Sequence, residues 1–381
     1  MKKFGIVLLL LVLGVCCGRH SGSVRKSIEN GVEVVLNSSE PYRIKGEPSS
    51  LNLEKVLVID FGSDDIGEMG IAGAVDFEVD SEGSIYFFET NNEGDAVSKF
   101  DKRGAFVLSF GRRGQGPGEV QYAAWTGIDS RDNIIVSDNG NRKVLVFTKD
   151  GRLVRETQFP KDVGLIYPLE NGHYFGLWEK YPATAPNSMY MWAFSLYSPD
   201  FDEIKLLDTQ NVYDFNTQGT RGIHSRPFFM WKRGRGFLYI ASEERGYEIL
   251  VVDGEGSIVR KIRKEYTPVP VTEETIAERK KRFEPYGEKP WFPKYWLPMS
   301  GFFVDDEGRI YVRTFERGPN PGEYFFDLFN PDGAFISRKA MNILTLGDTE
   351  ILAEARGGRL YCFQDKSDGY REFVVYRMTW E

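Results

Sequence analysis

Along most of the chain, apolar residues come in runs the length of one strand, each cut off by a cluster of Asp, Asn, Gly, Pro, Lys or Ser. The clearest stretch is residues 106–151, where a run ending at Phe110 is followed by a Gly/Pro-rich connector and three more runs separated at 129–133, 138–142 and 149–151. Runs of this length bounded by turn formers predict strands, and strands joined by tight turns predict an antiparallel meander. A meander that covers neither of its faces needs copies of itself, and the copies recur at a period of about fifty residues, a spacing typical of propeller blades.

Six units can be read. Strands are expected at 74–79, 85–89, 97–100 and 106–110 in the first; 126–128, 134–137, 144–147 and 153–157 in the second; and 165–169, 174–178, 193–197 and 204–207 in the third. The fourth takes 228–231, 237–241, 249–252 and 258–262, and the fifth 302–304, 310–314, 325–329 and 334–337. The sixth has 350–353, 360–363 and 373–378 but lacks a fourth strand, while 53–59 is a strand without a unit. Pairing 53–59 with 373–378 would complete the ring and remove an exposed edge. The pattern therefore predicts an all-β, six-bladed β-propeller of four-stranded antiparallel blades, closed by an N-terminal strand.

Two excursions break the rhythm, at 179–192 and at 264–299. In the second, Thr272 can cap a helix that has Glu273 and Glu274 in its first turn and basic residues at 279–282 in its last, a charge order that suits the helix dipole. Pro285 ends the pattern, so a short helix is expected at 272–284. Composition agrees with the β reading, because aromatics reach 14% and there are 40 glycines.

The N-terminus reads as an export signal. Lys2 and Lys3 precede an apolar run at 4–15, too short to span a bilayer as a helix, and the run ends at Cys16 and Cys17. The expected organisation is a signal peptide at 1–17, a tether and cap segment at 18–50 with one β-like run at 32–36, and the propeller at 51–381. Cys362 is the one cysteine beyond that boundary, so it has no partner for an internal disulfide and reads as a buried, inert thiol. The formal charge of −8 argues against a nucleic-acid partner, and Arg112-Arg113 and Lys232-Arg233 read as solvated loop faces.

The order Asp-x-x-Gly-x-Ile-Tyr-Val, an Asp/Asn-rich turn, Arg-Lys-Val-x-Val-Phe and Lys-Asp-Gly resembles the NHL-type repeat. The connector FGRRGQGPGE at 110–119 is similar to one found in bacterial six-bladed β-propeller lipoproteins, and the cysteine pair resembles a lipobox. The resemblance implies acylation of Cys16 or Cys17, attachment to a membrane through that anchor, and a cell-envelope location facing the periplasm or the surface. It leaves function open, since propellers serve as binders, lyases and hydrolases.

For chemistry, Asp80, Asp129 and Asp305 each follow the first strand of a unit, and each is expected to accept hydrogen bonds from its own turn instead of binding calcium. With His20, His173 and His224 as the only histidines, a histidine-bound metal is not expected, and no cofactor is. No GxSxG elbow, Cys/His pair or phosphate loop occurs, and the glycines at 111–118 read as a connector between blades. The ligand-binding candidates are rigid aromatics mixed with Arg: Trp125 and Trp231 in first strands, Arg221, His224 and Arg226 ahead of one, and Trp291, Tyr295 and Trp296 in the long insertion. They are expected where blade-joining loops and first-turn loops gather at one end of the channel, although packing between blades would account for at least half of these residues. The expected function is non-catalytic binding of a small ligand, glycan or protein. Two alternatives remain: a metal-dependent hydrolase or lyase of the gluconolactonase-like propeller type, and a structural docking subunit of an envelope complex.

Overall fold

The computed structural model describes residues 22–69, 71, 74, 76–89, 94–159, 165–169, 171–180, 189–213, 228–286, 290–346, 350–366 and 369–381. Blade 1 consists of Asp76–Val79, Ile85–Phe88, Val97–Phe100 and Phe106–Phe110, in sequential antiparallel order from the centre outward. Blades 2, 3 and 5 repeat that order with inner strands Ala123–Ile128, Leu165–Pro168 and Gly301–Val304. In blade 6, Ala353–Arg356, Arg359–Asp365 and Arg371–Trp380 are completed by Leu51–Asp60 from the other end of the chain. That pairing runs from Glu372 opposite Asp60 to Trp380 opposite Leu51, which closes the ring as the strand count requires.

Blade 4 departs from the expected form. Its four strands, Phe229–Gly234, Phe237–Ser242, Glu248–Val252 and Ile258–Lys264, are extended by a hairpin of Val32–Asn37 and Val24–Glu29, so the sheet has six strands. Val32–Asn37 lies parallel to Ile258–Lys264, held there by ion pairs from Arg260 to Glu33 and from Arg263 to Glu29. The β-like run at 32–36 is thus a fifth strand of a blade, and Val24–Glu29, which alternation did not mark, is a sixth.

Residues 37–50 then strap three blades together before the chain enters blade 6. Buried Asn37 donates to Arg263 O of blade 4 at 3.1 Å and to Gly333 O of blade 5 at 3.0 Å, and its Oδ1 accepts from Phe335 N at 2.8 Å. Tyr42 N donates to Phe335 O, Asn330 Nδ2 donates to Glu47, and Ser50 exchanges backbone bonds with Glu381 in blade 6. Gly333 sits at φ +82° with Ile262 of blade 4 where a Cβ would be, so only glycine fits that crossing.

The aromatic content is explained by packing between blades. Buried residues form a separate cluster at each of the six interfaces, and strand alternation sorts neighbours to opposite sides. Phe87 faces blade 6, where its ring meets Phe373 at 4.9 Å, while Tyr86 and Phe88 face blade 2. These edge-to-face contacts are a favoured aromatic geometry. In the long excursion, the helix is Glu273–Phe283 with Thr272 accepting from Thr275 N, and a short 3-10 turn, Glu284–Tyr286, follows it. The shorter excursion is partly strand, because Tyr174–Lys180 and Met189–Tyr197 run into it. In the sixth unit the inner strand is Ala353–Arg356, while Glu350–Ile351 pairs with Thr345–Leu346. Among the described residues no helix is long and apolar enough to cross a membrane.

Candidate functional site

The six inner strands surround a channel whose cavity has a volume of about 660 Å³. Because strands alternate in direction, the turns after each first strand lie at the opposite end from the blade-joining loops, not at the same end as the loop argument supposed. The cavity opens among those first turns, at Asp129, Arg235 and Asp305, and reaches inward past Trp125, Tyr167, Lys232 and Glu354 to Asp76 and Glu350.

Each first-turn carboxylate is consumed locally. Asp305 Oδ1 accepts from Glu307 N at 3.0 Å and Arg309 N at 2.7 Å, and its Oδ2 accepts from Tyr311 at 2.9 Å. Asp80 repeats this with Glu82 N, Ser84 N and Tyr86, and Asp129 with Arg131 N and Asn133 N. These residues shape turns. The glycine-rich connector is likewise structural: fully buried Lys143 donates to Gly116 O at 2.9 Å, and Glu119 and Glu156 accept from Gly116 N and Gly118 N.

The charged residues that do line the cavity come from first strands. Blade 1 supplies Asp76 and Glu78, and blade 6 supplies Glu354, whose Oε2 accepts from Val79 N at 3.1 Å. Asp76 accepts from Thr126 of blade 2 at 3.3 Å. Only part of each side chain is covered, and Glu354 keeps 25% of its surface accessible, yet protein encircles all three. Burial is the main reason their carboxyls hold protons more tightly than usual, and for Asp76 and Glu78 neighbouring carboxylates add to it. Asp76 is pushed up to about 6, with Glu350 adding to burial and Lys232 opposing it. Glu354 is pushed up to about 7, with Arg356 and Arg233 opposing burial, and Glu78 is raised well above the carboxylate range by burial, Glu354 and Asp76.

Across the ring, blade 4 contributes cations. Arg233 reaches over the Tyr167 ring at 4.7 Å and donates to Ile128 O at 2.9 Å, bracing blades 2, 3 and 4. Trp125 lies against Tyr167, so an indole, a phenol and a guanidinium form one continuous wall. Gly234 lets the first strand of blade 4 approach blade 5 closely, since a Cβ there would sit 2.4 Å from Val304. Lys232 also lines the cavity and forms no ion pair among the described residues. The Lys232-Arg233 pair is therefore a channel feature, not a solvated loop face.

Of the aromatic candidates, Trp125 is the one placed in the channel. Trp231 packs between blades 3 and 4, with its ring 4.9 Å from Phe194. Trp296 stacks on Phe315 at 4.5 Å, and Trp291 and Tyr295 are 42% and 43% exposed on the insertion, away from the channel lining. Arg221, His224, Arg226, Cys16 and Cys17 lie outside the described residues. Reading by aromatic type missed Asp76, Glu78, Lys232 and Glu354. The available signal was a charge inside an inner strand, where blades flank both faces and the only water is in the channel.

Among the described residues no group of three His, Cys, Asp or Glu side chains is placed to hold a metal. Cys362 is fully buried in blade 6, and burial raises its thiol pKa, which leaves it unreactive.

Comparison with known proteins supports the architecture. The family model DUF5128, described as a 6-bladed beta-propeller, matches residues 72–225, which span blades 1 to 3. No curated protein matches the sequence. A protein of Bacteroides fragilis NCTC 9343 inferred to be exported is 15% identical with a TM-score of 0.51, over 90% of this chain and 99% of that one. A gluconolactonase from Xanthomonas campestris is 11% identical with a TM-score of 0.43, over 88% and 100% of the two chains. A virginiamycin B lyase from Staphylococcus aureus is 12% identical with a TM-score of 0.34, over 85% and 88%. At 15% identity the likeness to the Bacteroides fragilis protein speaks to fold alone, and the other two likenesses carry no argument. The chain is an all-β, six-bladed β-propeller built from four-stranded antiparallel blades.

Proposed function

We propose that this protein is an envelope-located, lipid-anchored propeller that captures a small polar ligand in its central channel without transforming it. One observation carries the reading. Carboxylates from blades 1 and 6 and a cation from blade 4 converge on a cavity of about 660 Å³ without neutralising one another, and an indole forms the wall between them. A cavity of this size, with an apolar wall and a few convergent polar groups, is the usual form of a small-molecule site. The basic and apolar N-terminal segment with its cysteine pair supports export and acylation. The binding test is a ligand-observed NMR screen of small polar molecules against wild-type protein and Trp125→Ala. Hits weakened at least tenfold by the substitution are expected, and hits indifferent to it would remove the channel from the reading.

A second reading is an enzyme, favoured by the neighbouring carboxyls of Glu78 and Glu354, both raised by burial, Glu354 to about 7, which suits proton transfer. Its metal-dependent form lacks a ligand set among the described residues. Appearance of product in the same NMR samples, abolished by Glu78→Gln, would favour catalysis. For the docking-subunit reading, the exposed rings of Trp291 and Tyr295 are the supporting surface.

A further inference from the structure

The cavity is electrically divided. In a six-membered ring blade 4 stands opposite blade 1, so Lys232 faces Asp76 and Glu78 across the channel, with Glu354 beside them on blade 6. Lys232 is near enough to the carboxylates to lower the proton affinity of Asp76 and Glu78, yet it forms no ion pair among the described residues. The cations nearby are already occupied: Arg233 by Tyr167 and Ile128 O, and Arg356 by Val79 O at 2.8 Å. Lys232 is therefore the cation facing these carboxylates that no ion pair holds, while Arg235, which also lines the cavity without an ion pair among the described residues, stands at its mouth. Trp125, Leu169 and Phe237 add apolar faces to the lining.

A molecule that satisfies both poles must donate hydrogen bonds or positive charge at one end, carry negative charge at the other, and present apolar surface between them. A neutral sugar would leave Lys232 without a counter-charge, and a plain amine or acid would leave one pole unmatched. An unmatched charge in a confined site costs affinity. The volume exceeds what one amino acid needs and suits a few residues.

Resting on the reading of the channel as a binding site, we infer that its ligand is a short zwitterionic peptide, its ammonium group directed to Glu78, Asp76 and Glu354 and its carboxylate to Lys232. The test crosses chemical deletions in the ligand with substitutions in the protein. Calorimetry would compare the tripeptide Ala-Phe-Ala with its N-acetyl and C-amide forms on wild type, Glu78→Gln and Lys232→Met, with a neutral disaccharide as a further probe. On wild type, each modification is expected to weaken binding at least tenfold. The penalty for N-acetylation should fall to about twofold in Glu78→Gln, and the penalty for C-amidation should do the same in Lys232→Met. Melting temperatures of the variants identify any loss caused by misfolding, and Glu78→Asp and Lys232→Arg, which keep the carboxyl and the cation, should retain both penalties.

Wild-type binding indifferent to either modification would overturn the inference, as would penalties unchanged by the substitutions. If the disaccharide binds in a Trp125-dependent way and the peptide does not, the channel remains a binding site and the zwitterion assignment fails. If neither probe nor any screened molecule binds, both readings fail.

Discussion

At the residue scale, the same side chain means different things in different strands. An Asp after a first strand is a turn component: Asp305 satisfies two backbone N–H groups and the Tyr311 hydroxyl, so Asp305→Ala should cost about 2 kcal/mol, seen as a lower urea midpoint. A carboxylate inside a first strand faces the channel and is held against its own ionisation. The Glu354 carboxyl has its folded pKa raised above the ordinary value, so its stability contribution is present at acid pH and is lost as pH rises through about 7. The charges that face it are Glu78, Arg356, Arg233 and Lys232. Glu354→Gln keeps an acceptor for Val79 N but removes that loss. Urea unfolding at pH 8.5 should therefore find the variant more stable than wild type, on the order of 1 kcal/mol after allowance for channel water, with the two alike at pH 4.5.

At the element scale, strands and turns were legible because they depend on local chemistry, as in the Asp-Ser-Glu-Gly turn at 80–83 and its counterpart at 305–308. The closing strand was legible from a count, since one unit lacked what the N-terminus had spare. The hairpin of Val24–Glu29 and Val32–Asn37 was half legible. Residues 24–29 are mostly exposed and polar, so no apolar stripe marks them, and they are held by pairing to Val32–Asn37 and by the ion pair of Glu29 with Arg263 of blade 4. Asn37 shows how much that strap depends on one amide. Asn37→Ala removes three hydrogen bonds and strands Phe335 N in a buried crossing, for a loss of about 2–3 kcal/mol. Hydrogen exchange should rise at 24–42 and along Phe335–Asn342, and little in blades 1 and 2.

At the scale of the whole molecule, the fold could be read from a repeat, but the site could not. Asp76, Lys232 and Glu354 are more than a hundred residues apart and meet because their strands occupy the same radial position. Judged locally, Glu78 and Lys232 are ordinary alternating polar residues of a strand. Their meaning depends on which strand of the blade carries them, and no local pattern states that rank. The aromatics misled for the complementary reason: ring closure needs large flat side chains at every blade interface, so a Trp such as Trp231 is first a spacer.

Because Leu51–Asp60 pairs with Arg371–Trp380, the strand that completes blade 6 leaves the ribosome long before the neighbour it needs has been made. A protein built this way matures in a single late event. Until then that strand remains an open seam, and a chain lacking residues 371–380 would carry the seam permanently, with every other blade intact.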